Sequence, residues 1–395
     1  MSPPLLRKAT RLMRAGAPAF IDGAAPVNVP VERTSTVRFE NTLSHAALHK
    51  RREAGEAIST YGRHGTQTHR ALEAAIGELE GACDVLLAPS GLSAISLVFI
   101  GLLSPGDHVL VHDGVYGPLR ERIEPLLTRL GVAFSYFSAA DGLPHKLLQA
   151  NTRLIYAESP SSFLYEIIDL PALADFAHEQ GVLLAADNTW GAGLLYQPLA
   201  LGADVSIQAV TKYLGGHSDL MQGAVSTADA GIGQRLREAH DALGLSVSAD
   251  DAYLALRGIR TLPVRLAQHA RGAFAVASYL QRVRQVTRIF HPALATDPGH
   301  ALWSRDFHGA NGLVSFALRD ADTGHAAAFI DQLHLFSIGA SWGGYESLAL
   351  IAPPRRLRSH SYWQGQEAVI RLHIGLEDAD DLILDLAQAF RSVLS

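Results

Sequence analysis

The chain has 395 residues, of which 48% are apolar and 18% charged, with a net charge of −6. That is long for a single core and predicts two domains of an ordinary soluble globular protein. The acidic balance argues against nucleic acid as a partner, and the one cysteine, Cys83, excludes an internal disulfide and a Cys-rich zinc site.

The opening stretch Met1–Phe20 carries Arg7, Lys8, Arg11 and Arg14, with no acid before Asp22. It lacks the apolar centre of a secretory signal and reads as an amphipathic helix, with an organelle transit peptide as the lesser alternative. A cytoplasmic location is therefore expected. His45 and His49 are spaced i, i+4, but no Glu follows His45, so the zincin pattern is absent. Among eighteen histidines such a spacing arises by chance, and no metal is expected. Cys83 is expected to be a small buried residue beside an apolar strand.

The middle of the chain alternates strands and helices. Asp84–Ala88 reads as a strand and Gly91–Leu103 as a helix. The apolar window between Val85 and Leu103 is broken by Pro89, Ser90, Gly91, Ser93 and Ser96, which predicts strand, turn and helix rather than a membrane span. His108–His112 is a strand and Tyr116–Leu130 a helix; further strands follow at Val132–Phe137, Arg153–Glu158, Val182–Asp187 and Asp204–Ala209, with a helix at Pro171–Gln180. Apolar strands separated by helices imply a mostly parallel sheet covered on both faces. After about Thr261 the character changes. An Arg- and Ala-rich helical stretch, Arg265–Val286, precedes the runs Leu313–Leu318 and Val369–Ile374, which suggests a smaller α+β domain.

Ligands of open α/β sheets bind beyond the carboxyl ends of the strands, and several polar residues fall there. Lys212 follows the Asp204–Ala209 strand, where partial desolvation lowers an amine's pKa and makes it a nucleophile toward an aldehyde cofactor; a surface lysine is the alternative. Asp187 closes an apolar strand and needs a partner, either a protonated pyridine nitrogen or, as a cap, the backbone after it. The turn Pro89-Ser90-Gly91-Leu92-Ser93 offers helix-start N–H groups to a phosphate, although it lacks the P-loop pattern. Arg371 lies inside the apolar run Val369–Ile374 and calls for an anion, either a substrate carboxylate or Glu377, Asp378 or another acid.

Taken together these segments resemble the Cys/Met-metabolism family of pyridoxal phosphate (PLP) enzymes, from about Thr34 to the end. Asp204–Asp219, with Thr211-Lys212 at its centre, resembles the family's Schiff-base lysine segment. Asp187-Asn188-Thr189-Trp190 is similar to its pyridine-nitrogen aspartate segment, and Tyr61-Gly62-Arg63 to a pair that reaches a neighbouring subunit's cofactor phosphate. Tyr61–Thr66, Ser341–Ser347 and Arg371–Asp378 look most like the bacterial cystathionine β-lyase branch. Two departures stand out: Thr60 where an aromatic is common, and Ala209 where many relatives have a phosphate-binding serine.

The resemblance implies an α/β, aspartate aminotransferase-type fold. Its large domain has a mostly parallel seven-stranded sheet, and a smaller α+β domain follows. Residues 1–64 would contribute to the neighbouring subunit, 65–260 form the PLP-binding domain and 261–395 the small domain. It implies Lys212, Tyr116, Asp187 and Tyr61 as catalytic residues. Gly91, Leu92, Thr211, Tyr61 and Arg63 would hold the phosphate, and Arg371, Ser341, Trp342 and Tyr116 the substrate. The implied reaction is β-elimination from an amino-acid thioether, cystathionine or another cysteine S-conjugate, in a homotetramer without nucleic-acid or membrane partners. A γ-acting relative and a non-catalytic PLP-binding regulator are the alternatives.

Overall fold

The computed structural model describes residues 6–358 and 360–393. Seven strands form the larger sheet: β1 (Asp84–Ala88), β2 (His108–His112), β3 (Ala133–Phe137), β4 (Thr152–Glu158), β5 (Leu183–Asp187), β6 (Val205–Gln208) and β7 (Gly223–Thr227). They lie in the order β1-β7-β6-β5-β4-β2-β3. Neighbours from β6 to β3 run parallel, whereas β7 is antiparallel to both β1 and β6. Successive side chains of a strand point to opposite faces. Leu110, Ile155, Leu184 and Ala186 accordingly join one apolar cluster, and Val109, Val111, Leu154, Tyr156 and Ala185 the other. Both faces are thus buried, as a parallel sheet requires.

Helices follow the same logic. In Gln67–Glu80 the residues Leu72, Ala75, Ile76 and Leu79 make one buried stripe. Gly91–Leu102 starts at Ser90, whose Oγ accepts the Ser93 N–H at 3.1 Å while Ser93 Oγ accepts the Ser90 N–H at 2.8 Å. The expected helix Tyr116–Leu130 is helical over 117–129, with a π turn at Leu119–Ile123 before Glu124–Arg129. Pro125 has no N–H to continue the i→i−4 ladder, and the ladder widens just before it. One reading shifts. The expected helix Arg265–Val286 runs from Leu262 to Leu280, with Pro263 in its first turn, and Val286 opens a strand instead.

The second sheet has five strands, β8 (Val286–Phe290), β9 (Leu313–Leu318), β10 (Ser337–Ile338), β11 (Leu348–Ile351) and β12 (Val369–His373), in the order β10-β11-β12-β9-β8. β12 is central and antiparallel to β11 and β9, with Arg371 opposite Leu350 and Ser315. The N-terminal helix spans Lys8–Arg14, and Met1–Leu5 of the reading lie outside the described residues. No described helix is long and apolar enough to cross a membrane. Cys83 corrects its expectation: it is exposed, because it precedes the edge strand β1 and lines a cleft there.

Candidate active site

One cavity of about 450 Å³ opens where the carboxyl ends of β4, β5 and β6 face the second sheet. Its lining includes Gly91, Leu92, Tyr116, Asp187, Thr211, Lys212, Ser341, Trp342 and Arg371. The fold therefore brings together nine of the eleven residues singled out in the sequence. Tyr61 and Arg63 do not line it. Tyr61 is exposed, and Arg63 lines a separate cleft, where its Nη1 lies 3.4 Å from the carbonyl of Asp241.

Lys212 donates from Nζ to Ser341 Oγ at 2.7 Å and sits 5.4 Å from the centre of the Trp342 ring. Burial, with a smaller contribution from Arg371, lowers its pKa from 10.5 to about 8. The chain is shaped around this amine. Gly343 has φ +90°, and a Cβ there would stand 2.8 Å from the Lys212 carbonyl carbon. Only glycine tolerates both conditions.

Asp187 is buried at the end of β5. Its Oδ1 accepts the Thr189 N–H at 3.0 Å and the Thr189 hydroxyl at 2.5 Å, and its Oδ2 accepts the Tyr156 hydroxyl at 3.2 Å. The cap alternative is thus realised in part, as a turn. Among the described residues no cation pairs with this carboxylate, and burial raises its pKa. Glu158 lies beside it in the β4–β5 register and accepts the Tyr116 N–H through Oε2. Burial and then Asp187 raise the Glu158 pKa well above the usual range. The Tyr116 ring stands free at the mouth, 43% exposed, and burial raises the pKa of its hydroxyl. The phenol is therefore protonated at neutral pH.

Arg371 pairs with neither Glu377 nor Asp378. Its Nη2 donates to the carbonyls of Gly339, Ala340 and Ser341 at 3.1, 3.2 and 3.0 Å, and its Nε is buried without a partner. Glu377 is engaged with Ser347, and Asp378 accepts the Asp380 N–H, so neither neutralises it. Among the described residues this guanidinium has no carboxylate, and it faces a cavity wide enough for one.

At the opposite end the N–H groups of Gly91 and Leu92 begin a helix, and no other described group takes them. A Cβ on Gly91 would come within 2.7 Å of the Ala209 Cβ, so the backbone turn closes directly over β6. Thr211 also lines this end, but its hydroxyl donates to the Gln222 carbonyl at 3.0 Å and accepts the Gln222 N–H at 2.9 Å. An anion would have to draw the donor away from that bond.

Several contributors escaped the sequence reading. Thr189 and Tyr156 hold Asp187, and Phe163 lies under Arg371 with 5.7 Å from ring centre to guanidinium. Buried Glu80 accepts from Asn188 at 3.1 Å and from Ser206 at 2.9 Å, tying the helix Gln67–Glu80 behind β5 and β6. For Thr189 a signal existed in the run Asp187-Asn188-Thr189, which favours local side-chain-to-backbone bonds. The others depend on register and packing.

The site fits a phosphorylated pyridine aldehyde. It offers a desolvated amine, a buried unpaired carboxylate for a ring N–H, and free helix-start N–H groups for a phosphate. The whole span 10–391 matches the family described as Cys/Met metabolism PLP-dependent enzyme, to which the chain belongs. Within that family it is a carbon–sulfur lyase whose cofactor is PLP. It is 54% identical over 368 residues to the cystathionine beta-lyase of Bordetella avium, covering 93% of this chain and 92% of that one. It is 40% identical to the cystathionine beta-lyase of Escherichia coli, with 98% of both chains covered. The crystal structure of cystathionine gamma synthase from Xanthomonas oryzae pv. oryzae, in complex with aminoacrylate and cysteine, superposes with a TM-score of 0.89 at 32% identity over 99% of each chain.

Proposed function

We propose that this chain cleaves the Cβ–S bond of L-cystathionine by β-elimination, releasing homocysteine, with the three-carbon remainder hydrolysing to pyruvate and ammonia. The observation that carries the reading is the pairing, in one cavity, of a desolvated Lys212 amine with a buried Arg371 that lacks an acid.

PLP, when bound, supplies an electron sink that stabilises negative charge at the substrate Cα. Arg371 binds the substrate α-carboxylate, giving its unpartnered Nε an acceptor. Asp187, fixed by Thr189 and Tyr156, holds a proton on the ring nitrogen. Gly91 and Leu92 orient the phosphate, and the Tyr116 ring covers the mouth. Lys212 Nζ takes the Cα proton and returns one to the departing sulfur, so the amine ends as it began. Ser341 Oγ positions that amine between the two transfers.

Tyr61 and Arg63 complete the phosphate site of a neighbouring copy, which makes the active unit at least a dimer and, by the family resemblance, a tetramer of cytoplasmic enzyme. The domain division at residues 64 and 260 belongs to the same reading.

Purified protein incubated with L-cystathionine should release thiol and pyruvate in equal amounts. The gamma-synthase likeness supports a γ-acting second reading, for which the keto acid would be 2-oxobutanoate. If 2-oxobutanoate dominates, the β-reading fails; if neither acid forms, the turnover reading fails.

A further inference from the structure

We propose that a second site, formed by His112, Asp113 and Glu166 with His360 beside it, binds a divalent transition-metal ion. This inference is independent of the substrate reading. All four side chains are buried. His112 Nε2 lies 3.7 Å from Asp113 Oδ1 and 3.2 Å from Glu166 Oε2, and His360 Nδ1 lies 3.8 Å from each of those oxygens. Ligands at about 2.0–2.1 Å around a tetrahedral zinc stand about 3.3 Å apart. The ligand atoms of His112, Asp113 and Glu166 all lie within 4.8 Å of one another.

The hydrogen bonds also divide as a metal site would divide them. Asp113 Oδ2 accepts the Ser361 N–H at 2.9 Å and the Ser361 hydroxyl at 2.7 Å, and His360 Nε2 meets Ser161 Oγ at 2.9 Å. The outward atoms are therefore fixed, while the inward Asp113 Oδ1 and His360 Nδ1 are buried with no hydrogen-bond partner. The Nδ1 of His112 also has none. Two adjacent carboxylates in a protein interior are costly unless their charge is compensated. Arg120 reaches only the Asp113 backbone carbonyl, at 3.4 Å, and neither carboxylate has an arginine or lysine partner among the described residues. A dication would neutralise the pair.

An imidazole together with two carboxylates favours zinc and its neighbours over magnesium or calcium, which take oxygen ligands. Three protein ligands leave a fourth position open to water. A cavity of about 140 Å³, lined in part by Asp113 and His360, leads to it. The ion would join the end of β2 to the loop after β4, beside the segment before β12, and so brace both the Tyr116 loop and Phe163.

The test is to strip the holoenzyme with chelator, dialyse it against buffered Zn²⁺ and count metal by mass spectrometry. About one Zn²⁺ per chain is expected for the wild type. Binding should weaken at least about tenfold in Glu166→Gln and His112→Gln and hold in His45→Gln, which separates this site from the His45/His49 pair. Substituted Co²⁺ should show the strong visible bands of tetrahedral coordination. Wild-type stoichiometry below about 0.1 overturns the proposal, as does equal binding by the folded variants. Should the variants misfold, the wild-type count alone decides.

Discussion

Lys212 and Arg371 each rely on a group that this chain leaves incomplete, and their predictions follow from that. Because burial brings the Lys212 pKa down to about 8, the neutral amine predominates above that pH rather than above the ordinary 10.5. Capture of PLP by the apoenzyme, followed by absorbance, should therefore accelerate as pH rises through about 8 and then level off. Lys212→Ala should show no such absorbance and no borohydride-trapped adduct. Arg371→Leu should lower kcat/KM by about 10- to 100-fold, the value of one or two charge-assisted hydrogen bonds, mainly through KM. Unchanged kinetics would make it a structural residue. Lys212, which follows an apolar strand, and Asp187, which ends one, left alternatives open by position alone and were singled out by the family resemblance of the segments around them. The Arg371 partner was not legible, since Glu377 and Asp378 are as near in sequence as any substrate is in space. Tyr156 and Glu158 gain their roles from the β4–β5 register, which one strand read alone does not reveal.

Elements carry the site through close approaches that side chains would block. Gly343→Ala places a Cβ against the Lys212 backbone at φ +90°, and should cost roughly 1–3 kcal/mol in stability, read as a lower thermal midpoint. Gly91→Ala collides with Ala209 Cβ at 2.7 Å and should weaken PLP binding at equilibrium dialysis while leaving the second sheet intact. Six strands of the large sheet announce themselves as short apolar runs. β7 does not: Gly-Ala-Val-Ser-Thr has one strongly apolar residue, and its placement comes from pairing with β1 and β6. The helix after Tyr116 was legible, but its widened turn at Leu119–Ile123 was not, since apolar spacing persists across Pro125 while the hydrogen-bond ladder cannot.

At the scale of the molecule, Tyr61 and Arg63 stand apart from the cavity their motif implies, so subunit exchange is the informative experiment. Lys212→Ala and Arg63→Ala should each be inactive or nearly so. Co-expressed in equal amounts, they should recover about one quarter of wild-type turnover, because half the dimers are mixed and each of these has one intact site. No recovery would place both residues' work within one chain. The two-sheet plan was legible from where alternating strand and helix give way to long helices. The His112–Glu166 cluster was invisible there, since its members come from distant segments and match no spacing pattern.

The bend at Gly339–Ser341 has a consequence of its own. Its carbonyls occupy Arg371, and its last hydroxyl receives the Lys212 proton donor. Two basic side chains thus rest on one short bend, so a carboxylate that engages the guanidinium bears on the same three residues that hold the amine. Decarboxylated amines should consequently find the machinery still latched, reacting slowly even at saturating concentration.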